Sequence, residues 1–216
     1  MESTFCEPVP EGTRLIETFG WGPEQGFNRL DQHLGRMQRS ALLMGFAFDH
    51  ARALDCLTVA GTQALRCRLT LGVDGFDFTS SPMASVVEPW TVCIAPNRLW
   101  SQDVWLGHKT TQRALYDAAR AALPDGIDEL VFLNERGEVC EGTITNLFVT
   151  RKTGEVITPT LACGVLPGVL RQSLMDAGHV QEGVLGLQDI EDAKEIHMGN
   201  SLRGLIRVEM QKPITP

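Results

Sequence analysis

The stretch from Asp128 to Arg171, DELVFLNERGEVCEGTITNLFVTRKTGEVITPTLACGVLPGVLR, limits what this chain can fold into more than any other part of it. Its apolar runs are short and broken by turn signals, which favours strands over helices. It reads as a strand, a tight turn, a strand carrying Glu141, and a strand over Asn146 to Val149. A turn at Lys152 to Gly154, the pair Thr158-Pro159 and a glycine-flanked entry into a helix from about Pro167 to Ala177 follow. Polar residues outside the turns, Glu141, Thr145 and Asn146 above all, need a reason to be there.

The flanking sequence supplies the rest of an α/β chain. Arg14 to Phe19 alternates as a strand does, and Phe27 to Phe46 carries Leu30, Leu34, Met37, Ala41, Leu42 and Met44 near helical period, with Gly45 as its stop. A shorter helix is expected near Asp49 to Ala60. Leu65 to Leu71 and Phe76 to Thr79 form a hairpin around Gly72-Val73-Asp74-Gly75, and Thr91 to Ala95 reads as a strand ended by Pro96. The irregular segment from Pro96 to His108 marks a domain boundary, giving a smaller domain over 1–97 and a larger one over 98–216 with mixed sheets. Lys109 to Leu123 is amphipathic and predicts a helix. Strands are expected near Val180 to Leu185 and at Glu195 to Met198, with a short helix from about Leu187 between them and the loop Gly199-Asn200-Ser201 after them.

Charge and cysteine usage exclude several classes of partner. A net charge of -8, with both signs spread along the chain, argues against nucleic acid and anionic membrane surfaces. No apolar run approaches the length of a spanning helix. The cysteines at 6, 56, 67, 93, 140 and 163 form no CxxC pair, and MESTFCEPVPEGTR has no basic and apolar regions of a signal peptide, so a reducing cytoplasm is expected. The five histidines form no HxxxH or HxH pair, and no metal site is expected.

The chain carries 19 basic residues, of which only Lys109, Lys152, Lys194 and Lys212 are lysines. Lys152 and Lys212 read as solvent-facing, and Lys194 as a surface partner of Glu191 and Asp192. Lys109 stands where irregular chain gives way to the predicted helix, where the helix dipole disfavours the ammonium and so favours the neutral amine that attacks carbonyls. A surface charge is the alternative. Glu141 is likewise either an edge residue or the base of a flat ligand, with small Gly142, Thr143 and Thr145 after it. Gly164 to Arg171 reads as an anion site at a helix N-terminus or as ordinary capping.

In this order and spacing, the segments IET at 16–18, HLGRMQRSA at 33–41, HKTTQR at 108–113, DELVFLNERGEVCEGTITNLFV at 128–149, TP at 158–159, GVLPGVLR at 164–171 and GNSLRGL at 199–205 resemble the class IV aminotransferase superfamily, the fold-type IV pyridoxal-phosphate enzymes. The look is nearest to aminodeoxychorismate lyase. The resemblance implies a two-domain fold like that of D-amino-acid aminotransferase, with a shortened N-terminal domain because few residues precede Leu15. It also implies a homodimer and pyridoxal 5′-phosphate at the junction of the domains. Lys109 would be the Schiff-base lysine and proton shuttle, and Glu141 the partner of the pyridinium nitrogen. Arg36, the amides of Val169 and Leu170, and Ser201 would hold the phosphate, leaving Arg39 on the surface. Leu170 stands where relatives tend to have threonine, so only its amide would serve. Thr145, Asn146 and Asn200 would complete the cofactor site.

Arg113 and Asn200 point towards the lyase, with Arg203 joining them as a residue for an anionic substrate. The implied reaction is the elimination of pyruvate from 4-amino-4-deoxychorismate to give 4-aminobenzoate in folate biosynthesis. An amino-acid aminotransferase, branched-chain or D-specific, and a non-catalytic relative are the alternatives. The scarcity of tyrosine, Tyr116 alone, also speaks for the lyase.

Overall fold

The computed structural model describes residues 8–85 and 87–211, so Cys6 and Lys212 lie outside the described residues. The chain divides into two compact units, Met1–Ser85 with His108–Gln112, and Val86–Gly107 with Arg113–Pro216. This corrects the expected boundary at 97. The strand expected at Thr91 to Ala95 belongs to the sheet of the second unit, and the lysine segment returns to the first.

In the first unit the chain runs β1 (Leu15–Gly22), β2 (Gly26–Phe27), α1 (Leu30–Met44), α2 (His50–Asp55), β3 (Leu65–Gly72) and β4 (Gly75–Pro82). Among the described residues these strands form one antiparallel sheet in the order β2-β1-β3-β4. Helix α1 buries Leu34, Met37, Ala41 and Met44 and packs against β1, while Leu42, expected in the same stripe, is exposed because it falls outside the arc that faces the sheet. It stops at Gly45, whose φ of 72° suits a residue without Cβ. The other edge of β1 is occupied at its start by the lysine segment. Ile16 N donates to Lys109 O at 2.8 Å, Thr111 N donates to Arg14 O at 2.9 Å, and Leu15 bridges Thr110. Lys109 therefore sits on extended chain, not at the start of a helix as its sequence suggested. The backbone groups of Lys109 and Thr111 find their partners in Ile16 and Arg14 instead of in a helical turn.

The second unit contains β5 (Trp90–Leu99), α3 (Ala114–Ala121), β6 (Glu129–Asn134), β7 (Asn146–Thr150), β8 (Val156–Pro159), α4 (Val169–Asp176), β9 (Gln181–Gly183), α5 (Leu187–Glu191), β10 (Glu195–Asn200) and β11 (Gly204–Met210). Its strands form a mixed sheet in the order β6-β5-β11-β10-β7-β8-β9 among the described residues. Leu147, Val149, Met198, Ile206 and Val208 lie at the centre of one core cluster on this sheet. Strand β5 runs past Pro96, contrary to expectation. A register shift between Ile94 and Arg98 accommodates the residue that lacks an N–H. Strand β11 was not anticipated, yet it joins β5 to β10 and so holds the sheet together.

Candidate active site

Two polar clusters, one in each unit, bring the sequence candidates into groups. In the first unit Glu17 lies on the face of β1 that also carries Leu15 and Phe19, and all three are at most 1% exposed. An acid on the core face of a strand needs compensation, and α1 provides it. Arg36 Nε donates to Glu17 Oε1 at 2.8 Å, Arg36 Nη2 to Oε2 at 2.6 Å, and His33 Nδ1 lies 2.5 Å from Oε2. Burial by itself would raise the carboxyl's pKa. The charge of Arg36 and the hydrogen bonds from His33 and Arg36 outweigh it and hold the group at about 2.

Burial lowers the pKa of His33, against the pull of Glu17, and the charges of Arg36 and Lys109 add to the lowering. His33 is thus a neutral donor at neutral pH, and the charge of Lys109 is felt within this cluster. Beside Lys109, His108 Nδ1 lies 2.9 Å from Ser40 Oγ. The guanidinium of Arg36 is therefore bound largely to Glu17, while Arg39 is exposed as expected.

In the second unit Glu141 is buried between strands, joined to Asn146 by an isolated antiparallel bridge and not by a regular strand. Its carboxylate accepts from Tyr116 Oη at 2.8 Å on Oε1, and from Asn146 Nδ2 at 2.9 Å and Leu166 N at 3.1 Å on Oε2. The loop after it is fixed by Glu129, which is fully buried. Glu129 accepts from Thr143 N at 3.0 Å, Thr143 Oγ1 at 2.6 Å, Ile144 N at 3.2 Å and Thr145 Oγ1 at 3.3 Å. The hydroxyl of Thr145, a residue expected in the cofactor site, is turned to Glu129.

Arg113 and Asn200 are also engaged with this loop. Arg113 donates to Asp117 Oδ1 at 2.7 Å and to Thr143 O at 2.8 Å. Asn200 Nδ2 donates to Ile144 O at 3.2 Å, and its Oδ1 accepts from Leu202 N at 3.1 Å and Arg203 N at 2.9 Å. Both side chains thus tie the backbone together, whatever else they meet. Arg203 lies over Trp90, with Cζ 5.7 Å from the ring centroid.

Next to Glu141, α4 begins at Gly168 with no side-chain cap. The first intrahelical donor is Gln172 N, to Gly168 O at 2.9 Å, so the N–H groups of Val169 and Leu170 keep the unsatisfied donor character of a helix start. A Cβ on Gly168 would fall 1.9 Å from Asn146 Oδ1, so only glycine lets α4 start this close to the amide that holds Glu141. Gly199 is similarly restricted: a Cβ there would lie 2.4 Å from Gly204 O and 3.1 Å from Leu170 Cδ2. The turn carrying the buried Ser201 therefore packs beside the first turn of α4.

The donor set fits a phosphorylated, nitrogen-containing aromatic cofactor. Uncapped helix amides beside a buried hydroxyl suit a phosphate, and a buried carboxylate held by hydrogen bonds suits a protonated ring nitrogen. The sequence pattern described as Amino-transferase class IV matches residues 14–210. The chain belongs to that family. Its cofactor is pyridoxal 5′-phosphate.

Among relatives, aminodeoxychorismate lyase of Saccharomyces cerevisiae is 28% identical over 136 residues, covering 55% of this chain and 36% of the yeast protein. Aminodeoxychorismate lyase of Vibrio harveyi is 32% identical over 143 residues, covering 63% of this chain and 52% of that protein. The matches thus span about half or less of these two lyases. The crystal structure of a candidate amino-acid aminotransferase from Mesorhizobium loti superposes with a TM-score of 0.86 at 42% identity, covering 92% of this chain and all of that one.

Glu17, His33, Glu129 and Tyr116 were not assigned roles from the sequence. For Glu17 the signal was present: an acid in register with Leu15 and Phe19 on a strand whose inward face is otherwise apolar. For Glu129, in a strand buried throughout, no periodicity distinguishes a structural acid from a surface one.

Proposed function

We propose that this class IV enzyme is a 4-amino-4-deoxychorismate lyase that eliminates pyruvate and releases 4-aminobenzoate. The observation that supports the cofactor chemistry is the Glu141 carboxylate, buried and hydrogen-bonded by Tyr116, Asn146 and Leu166. The similarity to the yeast and Vibrio lyases supports elimination as its outcome.

When bound, pyridoxal phosphate supplies an electron sink for a carbanion at the substrate carbon that carries the amine. Glu141 keeps the proton on the ring nitrogen. Val169 and Leu170 amides, Ser201 and Arg36 bind the phosphate, with Glu17 fixing the plane of the Arg36 guanidinium. Lys109 is the covalent attachment point, and its freed Nζ takes the proton from the amine-bearing carbon. In the elimination that C–H electron pair becomes a ring double bond, the bond from the ring to the enolpyruvyl oxygen breaks, the leaving enolpyruvate takes up one proton at its methylene carbon to become pyruvate, and the ring is aromatic. Arg203 is assigned to a substrate carboxylate, while Arg113 and Asn200 act on the substrate side through the loop they hold. The same reading carries a place in folate biosynthesis, a homodimer and a cytoplasmic setting.

The 42% identity to the Mesorhizobium protein favours a second reading, amino-acid transamination. Incubation of the loaded protein with 4-amino-4-deoxychorismate separates the two. Release of 4-aminobenzoate and pyruvate in equal amounts is expected. No 4-aminobenzoate, together with amino transfer from an amino-acid donor to a keto acid, would decide for the aminotransferase.

A further inference from the structure

Tyr116 is the chain's only tyrosine, and its hydroxyl is aimed at the acid of the site. Its ring is wedged between the edge of Phe132, with centroids 5.3 Å apart at 84°, and the guanidinium of Arg113, whose Cζ is 5.5 Å from the centroid. Arg113 is in turn anchored to Thr143 O and Asp117, so the phenol has little freedom to turn away from Glu141. Burial first, then the charge of Glu141 and the hydrogen bond to it, push the phenol well above its ordinary pKa, so it remains a donor across the working pH range.

A carboxylate facing a pyridinium nitrogen shares one proton with it, and the share depends on how basic the carboxylate is. Each donor on Glu141 makes the anion less basic and leaves the proton on the ring. The Asn146 amide and the Leu166 N–H both address Oε2, whereas Tyr116 addresses Oε1. We infer that Tyr116 is a positioning residue of the reaction, which acts through Glu141 to keep the cofactor's ring nitrogen protonated. This rests on the assignment of Glu141 to that nitrogen proposed above. It gives α3, a helix without a buried residue, a role in the chemistry.

The test is a cycle of two proteins and two cofactors. Tyr116→Phe keeps the ring between Phe132 and Arg113 and removes only the hydroxyl. The second cofactor is 1-deazapyridoxal 5′-phosphate, which has C–H where pyridoxal phosphate has its ring nitrogen. Binding to apoprotein is followed by the visible absorbance of the bound cofactor, and the thermal midpoint of each apoprotein is recorded as a check on folding. Tyr116→Phe should bind pyridoxal phosphate about tenfold more weakly, the loss of one hydrogen bond to a charged group. The deaza cofactor should show little difference between the two proteins.

Equal losses with both cofactors, or no loss with either, would overturn the inference and leave Tyr116 as packing. Failure of the wild-type protein to take up pyridoxal phosphate would instead overturn the assignment of the site as a whole. An isosteric control needs no mutation. Because 3-fluorotyrosine fed during expression replaces Tyr116 alone, its fluorine resonance should shift more on binding pyridoxal phosphate than on binding the deaza cofactor. Equal shifts would contradict the inference.

Discussion

Glu17 and Glu141 are both buried carboxylates, 1% and 5% exposed, and the two units surround them with different partners. Glu17 is matched by a full cation, the two-nitrogen clasp of Arg36, with His33 as an added donor. Glu141 accepts hydrogen bonds from a phenol, an amide and a backbone N–H. The clasp on Glu17 fixes the plane of the Arg36 guanidinium, whereas the role we propose for Glu141 is to face a protonated ring.

The largest effect should come from breaking the balanced pair. Glu17→Gln leaves the Arg36 charge buried without its counter-ion and should cost about 3–5 kcal/mol of stability, read from urea or guanidinium unfolding. Acid provides the same test without mutation. The carboxyl is lowered from 4.5 to about 2 in the folded protein, so its contribution is complete above pH 4.5 and is lost as pH falls towards 2. That loss should approach about 3 kcal/mol, and Glu17→Gln should flatten that part of the pH profile.

A smaller effect is expected around Glu141. Gly168→Ala forces a methyl against Asn146 and should cost about 1–3 kcal/mol of overpacking. It should also weaken binding of pyridoxal phosphate, because the displaced amide is one of the donors on Glu141. An unchanged cofactor affinity, measured by titration of the apoprotein, would show that Asn146 does not act through Glu141.

How far this difference could be read in the sequence depends on what each element needs. Helix α1 and the hairpin of β3 and β4 followed from local periodicity and glycine placement, and the Asp128 to Arg171 stretch yielded Glu141, Asn146 and the start of α4 in the right order. Long-range pairing stayed hidden. Nothing local in Lys109-Thr110-Thr111 shows that these residues complete an edge of β1 some 90 positions earlier, and an amphipathic pattern carried the predicted helix too far back towards them. Strand β11 was missed because its alternation is embedded in a run of charged and apolar residues with no turn signal specific to a sheet interior. The partner choice of Tyr116 could not be read at all, since it depends on α3 lying against the loop that follows β6.

At the small end, Lys152 and Asp192 supply the contrast that calibrates the two sites. Their ion pair spans 3.2 Å with side chains 73% and 59% exposed, so Lys152→Ala should change stability by less than about 1 kcal/mol. A cost comparable to that of Glu17→Gln, measured in the same unfolding experiment, would remove burial as the factor separating these pairs.

Lys109 is the residue proposed to hold the cofactor. Loading the protein with pyridoxal phosphate, reducing it with borohydride and mapping its peptides by mass spectrometry tests this directly. The predicted result is a phosphopyridoxyl group on Lys109, none on Lys152 or Lys194, and no stoichiometric label in Lys109→Ala. Label on another lysine, or equal labelling of the Lys109→Ala protein, would contradict it.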